Sequence, residues 1–176
     1  MSSTRRTWLF GGVAAAAALA GAGGGLWWER RGAAANDGTL DASFWSQRFD
    51  RPDGGEMVVE QLRGKPLLVN FWATWCPPCV EEMPLIDAFF REHGGNGLQV
   101  VGLAIDQPSS VRKFLAKTPV SYPIGLAGLQ GTELIKQLGN TEGGLPFTLM
   151  VDADGIVAAR KMGKLDTADL QAWRRA

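Results

Sequence analysis

Trp75-Cys76-Pro77-Pro78-Cys79 contains the only two cysteines of a 176-residue chain. They stand where an apolar run, Leu67–Trp72, gives way to a segment of helical character. A C-x-x-C pair at a strand-to-helix junction suits reversible dithiol–disulfide chemistry. The first cysteine falls at the helix N-terminus, where unpaired N–H groups and the positive end of the dipole favour a thiolate. The second falls one turn on, within reach of a disulfide with the first. Pro77 and Pro78 occupy the first turn, where a missing N–H costs little. Cys76 is therefore the candidate nucleophile, partly exposed, and Cys79 the less accessible resolving thiol. A structural zinc site needs four ligands. With no third cysteine and with His93 the only histidine, a one-chain zinc site is not expected. A purely structural disulfide here would staple almost no loop.

Glu82 lies three residues beyond Cys79 and shares its helix face. A carboxylate there could take the Cys79 proton during resolution. The alternative is an ordinary, partly exposed helix glutamate, which is also the reading for Glu81. Trp75 is the candidate for the docking surface beside Cys76, whereas Trp72, inside the strand, reads as core. Pro84 removes an interior helical hydrogen bond and should kink that helix. Met57, Met83, Met150 and Met162 are not spaced as a metal box and read as packing.

The secondary structure around these residues can be read from pattern. Pro52-Asp53-Gly54-Gly55 is turn chemistry between strand-like flanks and predicts a hairpin over residues 49–59. Leu67–Trp72 is continuously apolar, as a strand buried on both faces would be. A helix should run from Pro77 to His93 and stop at Gly94-Gly95. Residues 98–105 form a second apolar strand, and the β-α-β unit so made should be parallel. A helix over 109–117, a proline-rich loop around Pro119 and Pro123, and a short helix over 131–138 come next. A strand over 146–151 then turns at 152–155 into another over 156–160, and Asp166 or Thr167 caps a last helix through Trp173.

The front of the chain is different. Residues 7–28 carry no charged side chain, a length that can span a bilayer as a helix. Trp8 and the pair Trp27 and Trp28 sit at its ends, where interfacial aromatics belong. Arg5 and Arg6 precede it, so the leading flank is the more positive and favours export of the C-terminal remainder. The run is longer than the usual signal-peptide core, which favours an uncleaved anchor. Ala33-Ala34-Ala35 resembles a cleavage site, and residues 4–9 loosely resemble a twin-arginine signal, so a cleaved signal is the alternative. The expected organisation is an anchor over 1–31, a tether over 32–43 and a domain over 44–176. Formal net charge is zero over the whole chain, but beyond Ala35 there are 14 basic and 17 acidic residues. No basic stripe appears, so nucleic acid is not an expected partner.

The order β-α-β-α-β-β-α behind an extra N-terminal hairpin, with the C-x-x-C on the first helix, resembles the thioredoxin fold: an α/β domain with a central mixed sheet flanked by helices. Within that fold the chain resembles the TlpA/ResA-like family of membrane-anchored extracytoplasmic thiol–disulfide oxidoreductases. The resemblance covers about residues 44–173. It rests on Gly64-Lys65-Pro66, the stretch from Asn70 to Cys79, Glu82-Met83-Pro84 and Gly144-Leu145-Pro146-Phe147-Thr148. It implies that Cys76 and Cys79 cycle as the redox disulfide and that Glu82 belongs near the active site. Pro146 resembles the cis-proline that faces the dithiol, with the backbone of Leu145 free to pair with an extended substrate; a trans proline opening a strand is the alternative. Trp75, Pro77 and Pro78 complete the substrate-contacting set. Asn70 departs from cytoplasmic-type thioredoxins, which carry an aspartate there. Asparagine cannot take up a proton, so Glu82 must supply any buried base.

The leading expectation is a disulfide reductase of selected exported proteins, in cytochrome c maturation or copper-centre assembly, at the bacterial inner membrane with its domain in the periplasm. The chain has no cofactor motif and no second cysteine pair. It would need an outside electron donor, for which a membrane thiol transporter is the candidate. Copper(I) delivery through the two thiolates is the binding-protein alternative. A thiol peroxidase fits poorly, because Thr74 is two rather than three residues before Cys76 and Asn70, not proline, lies four before Thr74.

Overall fold

The computed structural model describes residues 38–174. The residue 7–28 run and the signal or anchor reading attached to it lie outside the described residues. Among the described residues, no helix is long and apolar enough to cross a membrane.

The elements are α1 (Ala42–Trp45), β1 (Arg48–Asp50), β2 (Glu56–Val58), β3 (Leu67–Trp72), α2 (Pro77–His93), β4 (Gln99–Ala104), α3 (Pro108–Leu115), β5 (Ile124–Leu126), α4 (Gln130–Gln137), β6 (Phe147–Val151), β7 (Val157–Met162) and α5 (Thr167–Trp173). Seven strands form one sheet in the order β2-β1-β5-β4-β3-β6-β7. β3, β4 and β5 are parallel, while β6, β7 and the β1–β2 hairpin are antiparallel. The Pro52–Gly55 turn closes the hairpin as expected, with Arg51 N–H donating to the Gly55 carbonyl.

β3 sits inside the sheet and is buried along its whole length. Its alternation divides the core. Leu67, Val69 and Phe71 join one cluster with Phe44, Trp45, Leu103 and Ile135. Leu68 and Trp72 join the other, with Cys76, Cys79, Met83, Ile86 and Leu170. Asn70 has the parity of Leu68 and Trp72, so it faces α2. Gly102 of β4 keeps this face close-packed: a Cβ there would lie 2.6 Å from Ile124 Cδ1 and 3.2 Å from Trp72 Nε1.

Two features differ from the sequence reading. The loop expected around Pro119 and Pro123 ends in β5, a strand of only three residues, too short to show a period. It pairs with β4 on one side and β1 on the other, and so ties the hairpin to the sheet. The expected tether also gives up its last residues to the domain. Thr39 bridges to Ile156, Leu40 is buried, and Asp41 caps α1 by accepting from Ser43 and Phe44 N–H. The helix of the C-x-x-C motif runs on through Pro84 to His93.

Candidate active site

β3 ends at Trp72, and the chain turns through Ala73-Thr74-Trp75 into α2. Asp106, just past the end of β4, holds this turn: its Oδ2 accepts from Thr74 N–H at 2.9 Å and from Thr74 Oγ1 at 2.5 Å. Trp75 is thereby presented to solvent with 67% of its surface exposed. Cys76 is the N-cap residue of α2, with Pro77 and Pro78 in the first turn. Cys76 and Cys79 are joined in a disulfide, their Cα atoms 5.3 Å apart. Cys76 is 4% exposed and Cys79 0%. The order of access is the expected one, but the disulfide is sunk deeper than a partly exposed Cys76 implied, because Ala73, Leu145 and Trp72 pack in the same cluster.

Glu82 corrects the surface alternative outright. It is fully buried, one helical turn beyond Cys79. Its Oε1 accepts from Asn70 Nδ2 at 2.7 Å and its Oε2 from Leu165 N–H at 2.7 Å. Burial raises its pKa from 4.5 to about 7; the Leu165 and Asn70 hydrogen bonds and the charges of Lys164 and Lys161 oppose that rise without cancelling it. A carboxyl that titrates near neutrality can both take and return a proton there. Glu81, by contrast, lies on the surface in an ion pair with Lys164, 2.7 Å away.

Pro146 lies at the same end of the sheet. Phe147 pairs with Phe71 across β6 and β3, which places Pro146 level with the end of β3. The Leu145–Pro146 peptide is cis. Leu145 packs on both core clusters, including the one that holds the cysteines. The approach is shaped by Asn140, fully buried, whose side chain accepts from Gly143 N–H and donates to the Gly144 carbonyl at 2.7 Å. On the far side, Gly163 N–H donates to the Pro146 carbonyl at 2.8 Å.

The fold thus brings Trp75, Cys76, Pro77, Pro78 and Cys79 to one end of the sheet with Leu145 and Pro146, and seats Glu82 beneath them. Sequence reasoning missed Asp106, Thr148, Asn140 and Leu165 in this assembly. Asp106 had a signal: it stands at the C-terminal end of a parallel strand, where α/β sites gather. Thr148, though inside the Gly144–Thr148 motif, and Leu165 act across 78 and 83 residues, whereas Asn140 acts locally on Gly143 and Gly144. Among the described residues, no group of three or more His, Cys, Asp or Glu side chains is placed to hold a metal ion.

Known proteins resemble the chain in sequence and in fold. Residues 33–172 match the Redoxin family. The thiol-disulfide oxidoreductase ResA of Bacillus anthracis is 27% identical over 122 residues, covering 69% of this chain and 68% of that protein. The ResA of Geobacillus kaustophilus is 29% identical over 119 residues, covering 67% and 66%. Among solved structures, a thioredoxin-family thiol:disulfide interchange protein from Chlorobium tepidum TLS is 29% identical with a TM-score of 0.63, over 74% of this chain and 91% of that one. The DsbF structure from MTB, in mixed oxidised and reduced forms, is 26% identical with a TM-score of 0.64, over 76% and 96%. StoA from Bacillus subtilis, 22% identical at a TM-score of 0.60, shares the fold. With its disulfide at the head of α2 on a thioredoxin-like fold, the chain belongs to the Redoxin family and is a thiol–disulfide oxidoreductase whose redox-active pair is Cys76–Cys79.

Proposed function

We propose that the protein is a reductant of selected exported proteins, anchored or delivered by residues 7–28 and re-reduced by a membrane thiol transporter. One observation supports the reducing direction: Cys79 is fully buried, one turn from the buried carboxyl of Glu82. A dithiol becomes a strong oxidant when its reduced, thiolate form is stabilised. Here the helix N-terminus favours a thiolate at Cys76 only, while apolar burial and a neighbouring carboxylate disfavour one at Cys79. Burial of Cys79 thus adds no second thiolate to stabilise the reduced form, which supports the reducing direction.

In the first step the Cys76 thiolate attacks one sulfur of a substrate disulfide, forming a mixed disulfide and releasing the other substrate sulfur as a thiolate. Glu82 then takes the proton from the Cys79 thiol. The Cys79 thiolate attacks Cys76 Sγ, closing the Cys76–Cys79 bond and expelling the second substrate thiolate. Two electrons thus pass from the dithiol to the substrate. Trp75, Pro77 and Pro78 form one wall of the substrate site. Leu145 and Pro146 form the other, where an extended peptide can pair with the Leu145 backbone. Cytochrome c maturation and copper-centre assembly are the settings in which such a reductant serves. The similarity to ResA thiol-disulfide oxidoreductases supports the enzyme class on which this reading builds.

The compartment is tested separately from the chemistry. A reporter fused after Ala176 should be active only if it is of a type that works once exported. Activity confined to a cytoplasmic reporter would remove both the anchor and the signal reading.

A further inference from the structure

The clamp on Glu82 contains a residue with no acid–base chemistry of its own. Asn70 is fully buried in β3. One hydrogen of its amide goes to Glu82 Oε1 at 2.7 Å and the other to Thr148 Oγ1 of β6 at 3.0 Å. Both donors are thus committed, and Asn70 Oδ1 is left buried with no hydrogen-bond partner. An unmade buried hydrogen bond is costly. The fold tolerates the orphaned oxygen while aiming the amide nitrogen at a carboxylate. Turning the amide over would set Oδ1 against Oε1, oxygen to oxygen, wherever Glu82 is ionised. Thr148 holds the orientation, and Leu165 N–H meets the other carboxylate oxygen from the opposite side.

We propose that Asn70, aimed by Thr148, is a positioning residue for proton exchange at Glu82: it points one carboxylate oxygen and keeps the buried group able to ionise. The inference rests on the reading of Glu82 as the proton acceptor for Cys79. An asparagine suits this task because an aspartate at the same place would set a second carboxyl against Glu82, and one of the two would be forced to stay protonated. Two other charged groups act on Glu82, Lys164 of the loop after β7 and Lys161 of β7, and the Tyr122 phenol before β5 feels the Glu82 charge. The two lysines favour the ionised carboxylate through space and are paired elsewhere, Lys161 with Asp169 and Lys164 with Glu81. The Tyr122 phenol is held neutral by its own burial and by the charges of Asp87 and Glu82. Within the described residues the direct donors to the carboxylate are Asn70 and Leu165, and only Asn70 can be removed by side-chain substitution.

The test follows the Glu82 carboxyl carbon by NMR in selectively labelled protein, beside the pH profile of disulfide exchange. In Asn70→Leu the carboxyl midpoint should rise by about one to two pH units, the weight of a lost charge-assisted hydrogen bond. Thr148→Val, which leaves the amide in place but unaimed, should move it the same way by less and keeps the test open if the leucine variant folds poorly. The exchange profile should shift with the carbon, and in a Glu82→Gln background the Asn70 substitution should shift nothing. An unmoved carbon midpoint in both variants overturns the role of Asn70. A moved midpoint with an unmoved rate profile overturns instead the assignment of Glu82 as the base.

Discussion

Cys79→Ser should accumulate covalent complexes with substrate proteins, and Cys76→Ser should not. In the wild type the two cysteines are held with Cα atoms 5.3 Å apart, so resolution is intramolecular. Well-oriented intramolecular attack has an effective concentration far above that of any thiol in solution. Without Cys79, resolution falls to external thiols and should slow by roughly 10³-fold or more. The mixed disulfide on Cys76 then outlives an acid quench and appears on a non-reducing gel. In Cys76→Ser the remaining thiol is fully buried and has no path to a substrate disulfide. Equal trapping by both variants would contradict a fixed nucleophile and with it the attack-and-resolve order.

Glu82→Gln should slow disulfide exchange by about 10²–10⁴-fold, the usual weight of general acid–base assistance. The wild-type resolution rate should climb with pH through about 7 as Glu82 ionises, and that inflection should be missing from the variant. Stability should change as well, contrary to what a surface glutamate would show. The folded-state pKa is raised from 4.5 to about 7, so across that window folded protein holds a proton that the unfolded chain has released. Stability is then lost as pH rises through the window, by roughly 3 kcal/mol in all. Glutamine does not titrate. The stability of Glu82→Gln relative to wild type should therefore improve by about that amount between pH 4 and pH 8, whatever the cost of facing an amide toward the Leu165 or Asn70 N–H groups. Denaturant melts of the oxidised proteins across that range measure it. Parallel stability curves together with an unchanged rate profile would return Glu82 to a passive part of the helix.

Much of this architecture was legible because its signals are local. The C-x-x-C spacing, the prolines after Cys76, the apolar run of β3 and the Pro-Asp-Gly-Gly turn each act within a few residues, and each sits where it was expected. The cis Leu145–Pro146 bond was legible only through family resemblance. What local pattern could not give was the depth of Glu82. Its helix spacing places it beside Cys79, but its burial comes from Leu165, 83 residues away, and from Asn70, itself aimed by Thr148, 78 residues away. A glutamate in a run of Glu-Glu-Met looks like surface until those elements close over it. The same applies to β5, whose three residues carry no period and become a strand only between β4 and β1. Residues 38–43 look like linker by composition; Leu40 joins the core because the 152–155 turn offers it the Gly155 carbonyl.

The sharpest test of a reducing Cys76–Cys79 couple is its equilibrium potential, measured against glutathione or dithiothreitol by quantitative thiol trapping. Because Cys79 is fully buried, the proposed couple has no second thiolate to stabilise its reduced form. The expected value is strongly reducing, near the value of about −270 mV typical of thioredoxin. A potential near −120 mV, that of a strong oxidant with a stabilised dithiol, would contradict a reductant built on a buried Cys79 and Glu82.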